Sequence, residues 1–174
     1  MGIRYYAYAF EPQATQQAVD DPASVTGADP LADAWGLEPG SAFSVATFEP
    51  RLPRRDLLYL DKAWSLLQRL TEPSWNQPAR PAYRMFEGGV TEVPGTYGWL
   101  AWHRTLTPSE VVPIALDLEL VTEEEVRALL DRCCFDDEDR REQERAYLSH
   151  FLGQAKDFVR AASQDGRGFV YTIG

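Results

Sequence analysis

Two helix-start signatures, fifteen residues apart, restrict what this chain can fold into more than anything else in it. Thr107-Pro108-Ser109-Glu110 and Thr122-Glu123-Glu124-Glu125 both follow the Thr-x-x-Glu capping-box pattern. In such a box the Thr hydroxyl satisfies an orphan amide of the first turn, and the Glu carboxylate reaches back to the cap amide. The first box, with Pro at the first helical position, opens a helix to about Leu118, and the second opens one to about Leu130. A third helix is expected from about Asp137 to Ser163. Its first turns are almost wholly charged, with Asp136–Arg140 and Asp137–Arg141 placed four apart for ion pairing. Tyr147, Phe151, Ala155, Phe158 and Ala162 then make an apolar stripe at helical spacing. Most of the stretch 107–163 is therefore helical, and any sheet must be assembled from segments outside it.

Strand signals lie on both sides of that stretch. Residues 3–10, Ile-Arg-Tyr-Tyr-Ala-Tyr-Ala-Phe, suit a pleated, half-buried surface, and residues 82–87 and 97–105 read as further strands. In the last of these, Leu100, Trp102 and Leu106 share one face, and Trp99, Ala101, His103 and Thr105 the other. Phe169-Val170-Tyr171-Thr172-Ile173 is apolar on both faces, which places it inside a covered sheet. Gly166 ends the helix before it.

The stretch from Leu57 to Thr71 holds the only Asp-Lys pair in the chain, Asp61-Lys62. Asp61 reads as the N-cap of a central helix reaching Thr71, with Trp64, Leu67 and Leu70 as its apolar stripe and Ala63 and Leu66 alongside. Pro12 suits the first turn of a short helix through Val19. Residues 22–56 form an irregular insertion rich in Pro and Gly, interrupted by one helical turn. That turn has Asp29 as cap, Pro30 first, Trp35 packing inward and Gly36 ending it.

Charge and cysteine content narrow the function classes. The net charge is −10, and residues 117–145 hold twelve acidic against five basic residues, a net of −7. Such a face repels nucleic acid and anionic membranes and favours a basic protein partner. The small basic clusters Arg51/Arg54/Arg55 and Arg80/Arg84 lie in or near Pro-rich connections and read as solvated loops. The two cysteines, Cys133 and Cys134, are adjacent, too close for an unstrained bridge, which suits a reducing compartment. The first residues lack the basic region and apolar run of a signal peptide, and no apolar run spans a bilayer, so a cytoplasmic protein is expected.

Candidate site residues are Asp61, Lys62, Trp64, Tyr97, Trp99, His103 and Arg104. One reading lines a groove between sheet and central helix with Trp64, Tyr97, Trp99 and His103, with Asp61 at its rim, for a small molecule or a reaction. The plainer reading makes Asp61 a cap, Lys62 a solvated cation and His103 a strand residue beside Arg104. His103 is the only histidine on an expected strand, and His150 reads as a boundary residue of the long helix. Two distant histidines lack zinc-ligand spacing, the acidic stretch lacks a calcium-loop pattern, and no phosphate loop or nucleophile elbow is present. No metal, cofactor or catalytic residue is assigned on this basis. Cys133-Cys134 leaves open a soft-metal or redox role, against which their acidic surroundings argue.

Several segments together resemble the bacterial YfbM-like family. They are Met1-Gly2-Ile3 before a strand, Leu60-Asp61-Lys62-Ala63-Trp64 followed by Leu67, Gly88-Gly89, Tyr97-Gly98, Leu106-Thr107-Pro108-Ser109-Glu110-Val111, and Ala161-Ala162 with Gly166 and Val170. The Asp-Lys-x-Trp segment is the most specific. Between Leu130 and Asp137 the family carries a longer connection with a Tyr-Pro element, where this chain has Cys133-Cys134-Phe135. The resemblance implies a single α+β domain and brings no catalytic residues. The expected architecture is a small, mostly antiparallel sheet of about four strands packed against several helices, the longest at the C-terminal end. The expected function is non-catalytic protein binding through the acidic face, with the aromatic groove as the alternative.

Overall fold

A computed structural model of the chain describes residues 2–37, 49–75, 77–133, 135 and 137–174. Four strands form an antiparallel sheet: β1 (Tyr5–Phe10), β2 (Leu57–Asp61), β5 (Trp102–Leu106) and β6 (Gly168–Ile173). Their order is β2-β1-β6-β5, so the last strand lies in the interior, as its apolar residues on both faces require. Two short strands, β3 (Thr91–Glu92) and β4 (Trp99–Leu100), form a separate hairpin. The helices are α1 (Thr15–Asp20), α2 (Pro30–Trp35), α3 (Trp64–Thr71), α4 (Pro108–Glu119), α5 (Glu123–Asp131) and α6 (Glu138–Gln164). The architecture is α+β, with the long C-terminal helix expected from the charge and stripe pattern.

Strand alternation divides the core in two. Tyr5 and Ala7 of β1, Leu58 and Leu60 of β2, and Phe169, Tyr171 and Ile173 of β6 face the helical layer of α3, α4, α5 and α6. On the other side of the sheet, Tyr6, Tyr8 and Leu57 pack with Ala34, Trp35 and Tyr59, while Phe10 and Val170 pack with Ala18. Segments 12–25 and 30–35 thus cover the second face. Gly168 is required at the sheet centre because a Cβ there would lie 2.4 Å from the Phe10 ring and 2.6 Å from the Leu106 carbonyl.

Both capping boxes are present, with the Glu110 carboxylate accepting from the Thr107 amide and Glu125 from Thr122. Asp29 accepts from the Ala32 amide, and Gly36 ends α2 in the left-handed region at φ 66°, as its sequence pattern predicts. Part of the insertion, residues 38–48, lies outside the described residues, as do Asn76, Cys134 and Asp136. The Asp136–Arg140 pair and the vicinal cysteine pair therefore fall outside them too.

Four local expectations are corrected. Residues 57–61 are a strand, and Asp61 does not cap α3: the cap position belongs to Ala63, without a side-chain hydrogen bond. Residues 82–87 form no strand, because Pro81–Met85 winds as a 3₁₀ turn. The spacing of buried Ala82, Met85 and Phe86 is helical rather than alternating, and Tyr5 and Tyr171 hydroxyls donate to the carbonyls of Met85, Arg84 and Glu87. The stretch 97–105 breaks at Ala101 into β4 and β5, which belong to different sheets. Asp137 caps α6 by accepting from the Arg140 amide, and Arg141 pairs with Glu138 instead.

Candidate functional site: a polar junction beside an aromatic cleft

Asp61 sits at the end of β2 with φ 46°, in the left-handed region where a residue with a Cβ is disfavoured. Among the described residues no other non-glycine residue has positive φ. Backbone in that region persists only where its surroundings over-determine it. Here four side chains converge. Asp61 Oδ1 accepts from Arg4 Nε at 3.1 Å and from the Tyr59 hydroxyl at 2.9 Å, and Oδ2 accepts from the Tyr147 hydroxyl at 2.9 Å. The Tyr59 oxygen in turn accepts from Trp35 Nε1 at 3.3 Å, and the Tyr147 oxygen from the Lys62 amide at 3.2 Å. Arg4 lies over the Trp35 ring at 5.3 Å, a cation–π contact. The junction joins β2, α2 and α6 to Arg4, the residue just before β1.

Burial drives the electrostatics. Loss of solvent, then the hydrogen bond to Asp61, raises the Tyr147 hydroxyl well above the ordinary tyrosine value, and burial raises Tyr59 in the same direction. Both phenols stay protonated and act as donors toward the carboxylate.

Next to this junction a cleft of about 240 Å³ opens between α2, β2 and α6. It is lined by the half-buried rings of Trp35, Tyr59 and Phe151, by buried Ala34 and Leu57, by half-buried Gln154, and by exposed Arg54 and His150. Phe151 packs edge-on against Tyr59, Tyr147 and His150, with ring centroids 6.4, 4.9 and 5.2 Å away. Such an apolar concavity with a few convergent polar groups is the usual form of a small-ligand site. Gln154 Nε2 and His150 Nε2 are 2.7 Å apart.

The candidate residues read from the sequence separate. Asp61 and Lys62 belong to the junction, Lys62 through its backbone, with its side chain laid over Gly2. Trp64 is half-buried and packs on the main core. Tyr97 and Trp99 lie on the β3–β4 hairpin, Tyr97 fully exposed. On β5, His103 Nδ1 is 2.9 Å from Thr172 Oγ1, and Arg104 pairs with Glu87. β2 and β5 are opposite edges of the sheet, three strand spacings or about 14 Å apart. The single groove expected from the sequence is thus two surfaces, because β1 and β6 lie between its walls. Arg4, Trp35, Tyr59, Tyr147 and Phe151 are the site residues that sequence reasoning did not assign. Alternation of Leu58 and Leu60 against Tyr59 and Asp61 was the available signal.

The acidic segment is altered by folding. Arg80 pairs with Asp117 and Glu125, and Arg160 with Glu119, so cations from outside the segment fold onto it, and Arg80 is a clamp rather than a solvated loop residue. Cys133 Sγ donates to the Leu129 carbonyl and receives a long contact from Arg69. Among the described residues no three His, Cys, Asp or Glu side chains group as metal ligands, and no helix is long and apolar enough to cross a membrane.

No family model and no curated protein matches the chain. The chain is similar to a solved structure, that of YfbM from Escherichia coli, a protein of unknown function. The two align over 99% of this chain and 100% of that one, at 15% sequence identity and a TM-score of 0.57. The chain has a YfbM-like fold.

Proposed function

We propose that this chain works as one domain that binds a small molecule in the cleft between α2, β2 and α6. The supporting observation is the junction itself. A left-handed Asp61, held by Arg4, Tyr59 and Tyr147, fixes the Tyr59 wall and the α6 wall of the cleft relative to each other. Preorganised walls lower the ordering cost of binding. The test is a fragment screen by ligand-observed NMR against the wild-type chain and the Trp35→Ala variant. Hits whose binding is lost in the variant support the reading. Hits that bind both proteins equally overturn it.

A second reading keeps the acidic face as a docking surface for a basic protein in the cytoplasm. Exposed Glu124 and Asp139, which carry no ion pair among the described residues, favour it. Electrostatic complementarity of this kind raises association rates more than affinity and is screened by salt. Pull-downs at low and high salt decide it: recovery of no salt-sensitive basic partner counts against this reading.

A further inference from the structure

Within a chain of net charge −10, the aromatic cleft is set apart by the charges around it. Among the described residues, none of the nine that line it is acidic, and Arg54 is one of them. Other concavities carry carboxylates: Asp131, Glu138 and Glu142 between α5 and α6, Glu119 beside Leu116, and Glu92 on the hairpin. The hollow adjoining the cleft, which shares Arg54, Leu57 and Gln154 with it, holds Asp157, and that carboxylate is paired with Arg160. Arg54 makes no ion pair or hydrogen bond among the described residues, whereas its neighbours Arg51 and Arg55 pair with Asp33 and Asp56. The nearest carboxylate of the junction, Asp61, is already engaged by Arg4.

From this charge layout we infer that the ligand of the cleft is a small aromatic anion, a planar ring carrying a carboxylate or a comparable acidic group. This rests on the proposed cleft function and adds the ligand's chemical class. The ring lies against Trp35, Tyr59 and Phe151, whose faces and edges favour offset or edge-on aromatic contact. The acidic group meets Arg54, whose planar fork suits a carboxylate and whose charge is permanent. A cation of the same shape gains nothing at Arg54 and is repelled by it. A neutral ring keeps the stacking and loses the charge-assisted hydrogen bond.

An isosteric charge series tests it: indole-3-acetate, indole-3-acetamide and tryptamine, titrated by calorimetry and ligand-observed NMR into the wild-type chain and the variants Arg54→Gln and Trp35→Ala. The expected order is acetate at least tenfold tighter than acetamide, with tryptamine weakest. Arg54→Gln should weaken the acetate at least fivefold and leave the acetamide within twofold, and Trp35→Ala should weaken both. Equal affinities, a reversed order or an Arg54→Gln variant that binds the acetate normally overturns the anion assignment, while continued dependence on Trp35 leaves the cleft reading standing. Absence of binding by all three, or binding indifferent to Trp35, overturns both. Arg54 is exposed and makes no ion pair or hydrogen bond among the described residues, and matched thermal unfolding of the variants checks that the effects are local.

Discussion

The Tyr147 hydroxyl of α6 donates a 2.9 Å hydrogen bond to Asp61 of β2, across 86 residues of sequence. That bond fixes one end of the edge strand to the longest helix. It also makes the strained turn after β2 depend on a residue in another layer.

Tyr147→Phe keeps the ring and removes the hydroxyl, leaving Asp61 Oδ2 and the Lys62 amide without this partner. The expected cost is about 1–2 kcal/mol, the usual penalty for a half-buried polar group left unmatched. Urea unfolding should show a lower midpoint with an unchanged slope. A variant as stable as the wild type would show that the junction does not bear on folding.

At position 61 itself, the side chain and the backbone make separate demands. Asn tolerates the left-handed region and keeps one acceptor, while Ala is disfavoured there and takes the carboxylate partner away from Arg4, Tyr59 and Tyr147. Asp61→Ala should therefore destabilise by about 2–3 kcal/mol and Asp61→Asn by less. Equal losses would mean that the conformation carries no strain.

Thr107 and Glu110 allow a prediction with a pH dependence. Burial alone would raise the Glu110 carboxyl, but the Thr107 amide and hydroxyl, with Arg84 and Arg104, outweigh it and hold the carboxyl below its ordinary value of 4.5. A lowered folded value stabilises the fold above pH 4.5 and loses that contribution as pH falls through the folded value. Glu110→Gln should narrow the gap in thermal midpoint between pH 6 and pH 3, and Thr107→Ala should cost about 1 kcal/mol at neutral pH. An unchanged gap between the two pH values would sink the first expectation.

These boxes were legible in the sequence because each is complete within four residues, and the same holds for Asp29 and Gly36 around α2. Asp61 was not. Its partners Arg4 and Tyr147 stand 57 and 86 residues away, and an aspartate shortly before an apolar helix looks like a cap whatever it actually binds. The 3₁₀ turn at Pro81–Met85 was hidden for a related reason, since the tyrosine hydroxyls that hold it come from β1 and β6. Local chemistry announced itself, whereas the cleft and its junction depended on chain segments meeting in space.

Alkaline pH should weaken the fold through its tyrosines. Burial, then the charge of Tyr59, pushes Tyr6 from 10.0 up to about 12, and Tyr5, Tyr8, Tyr147 and Tyr171 are raised as well. The folded state keeps these protons after the unfolded chain has lost them, so stability is full below pH 10 and falls as pH rises toward 12 and beyond. Thermal midpoints between pH 8 and pH 11.5, followed with the tyrosinate absorbance, should show ionisation accompanying unfolding. Full ionisation of all eight tyrosines in a folded chain would refute this.

Gly88 has φ 101°, and a Cβ on it would lie 2.3 Å from the Trp102 indole. Gly88→Ala should therefore displace Trp102, destabilise by about 1–3 kcal/mol and alter the near-ultraviolet circular dichroism. An unchanged spectrum would show that the indole is free to move aside.

In the sheet, Tyr5 of the first strand pairs directly with Ile173 of the last, and both strands are interior. During translation, β1 must therefore wait until residues 168–173, more than 150 positions later, have been synthesised before it gains that neighbour. Until then Tyr6, Tyr8 and Phe10 have only part of their cover, a stage at which a ribosome-associated chaperone would find them. Proteolysis ahead of Gly168 would not trim an appendage. It would cut out the sheet's middle and separate β5 from every other strand.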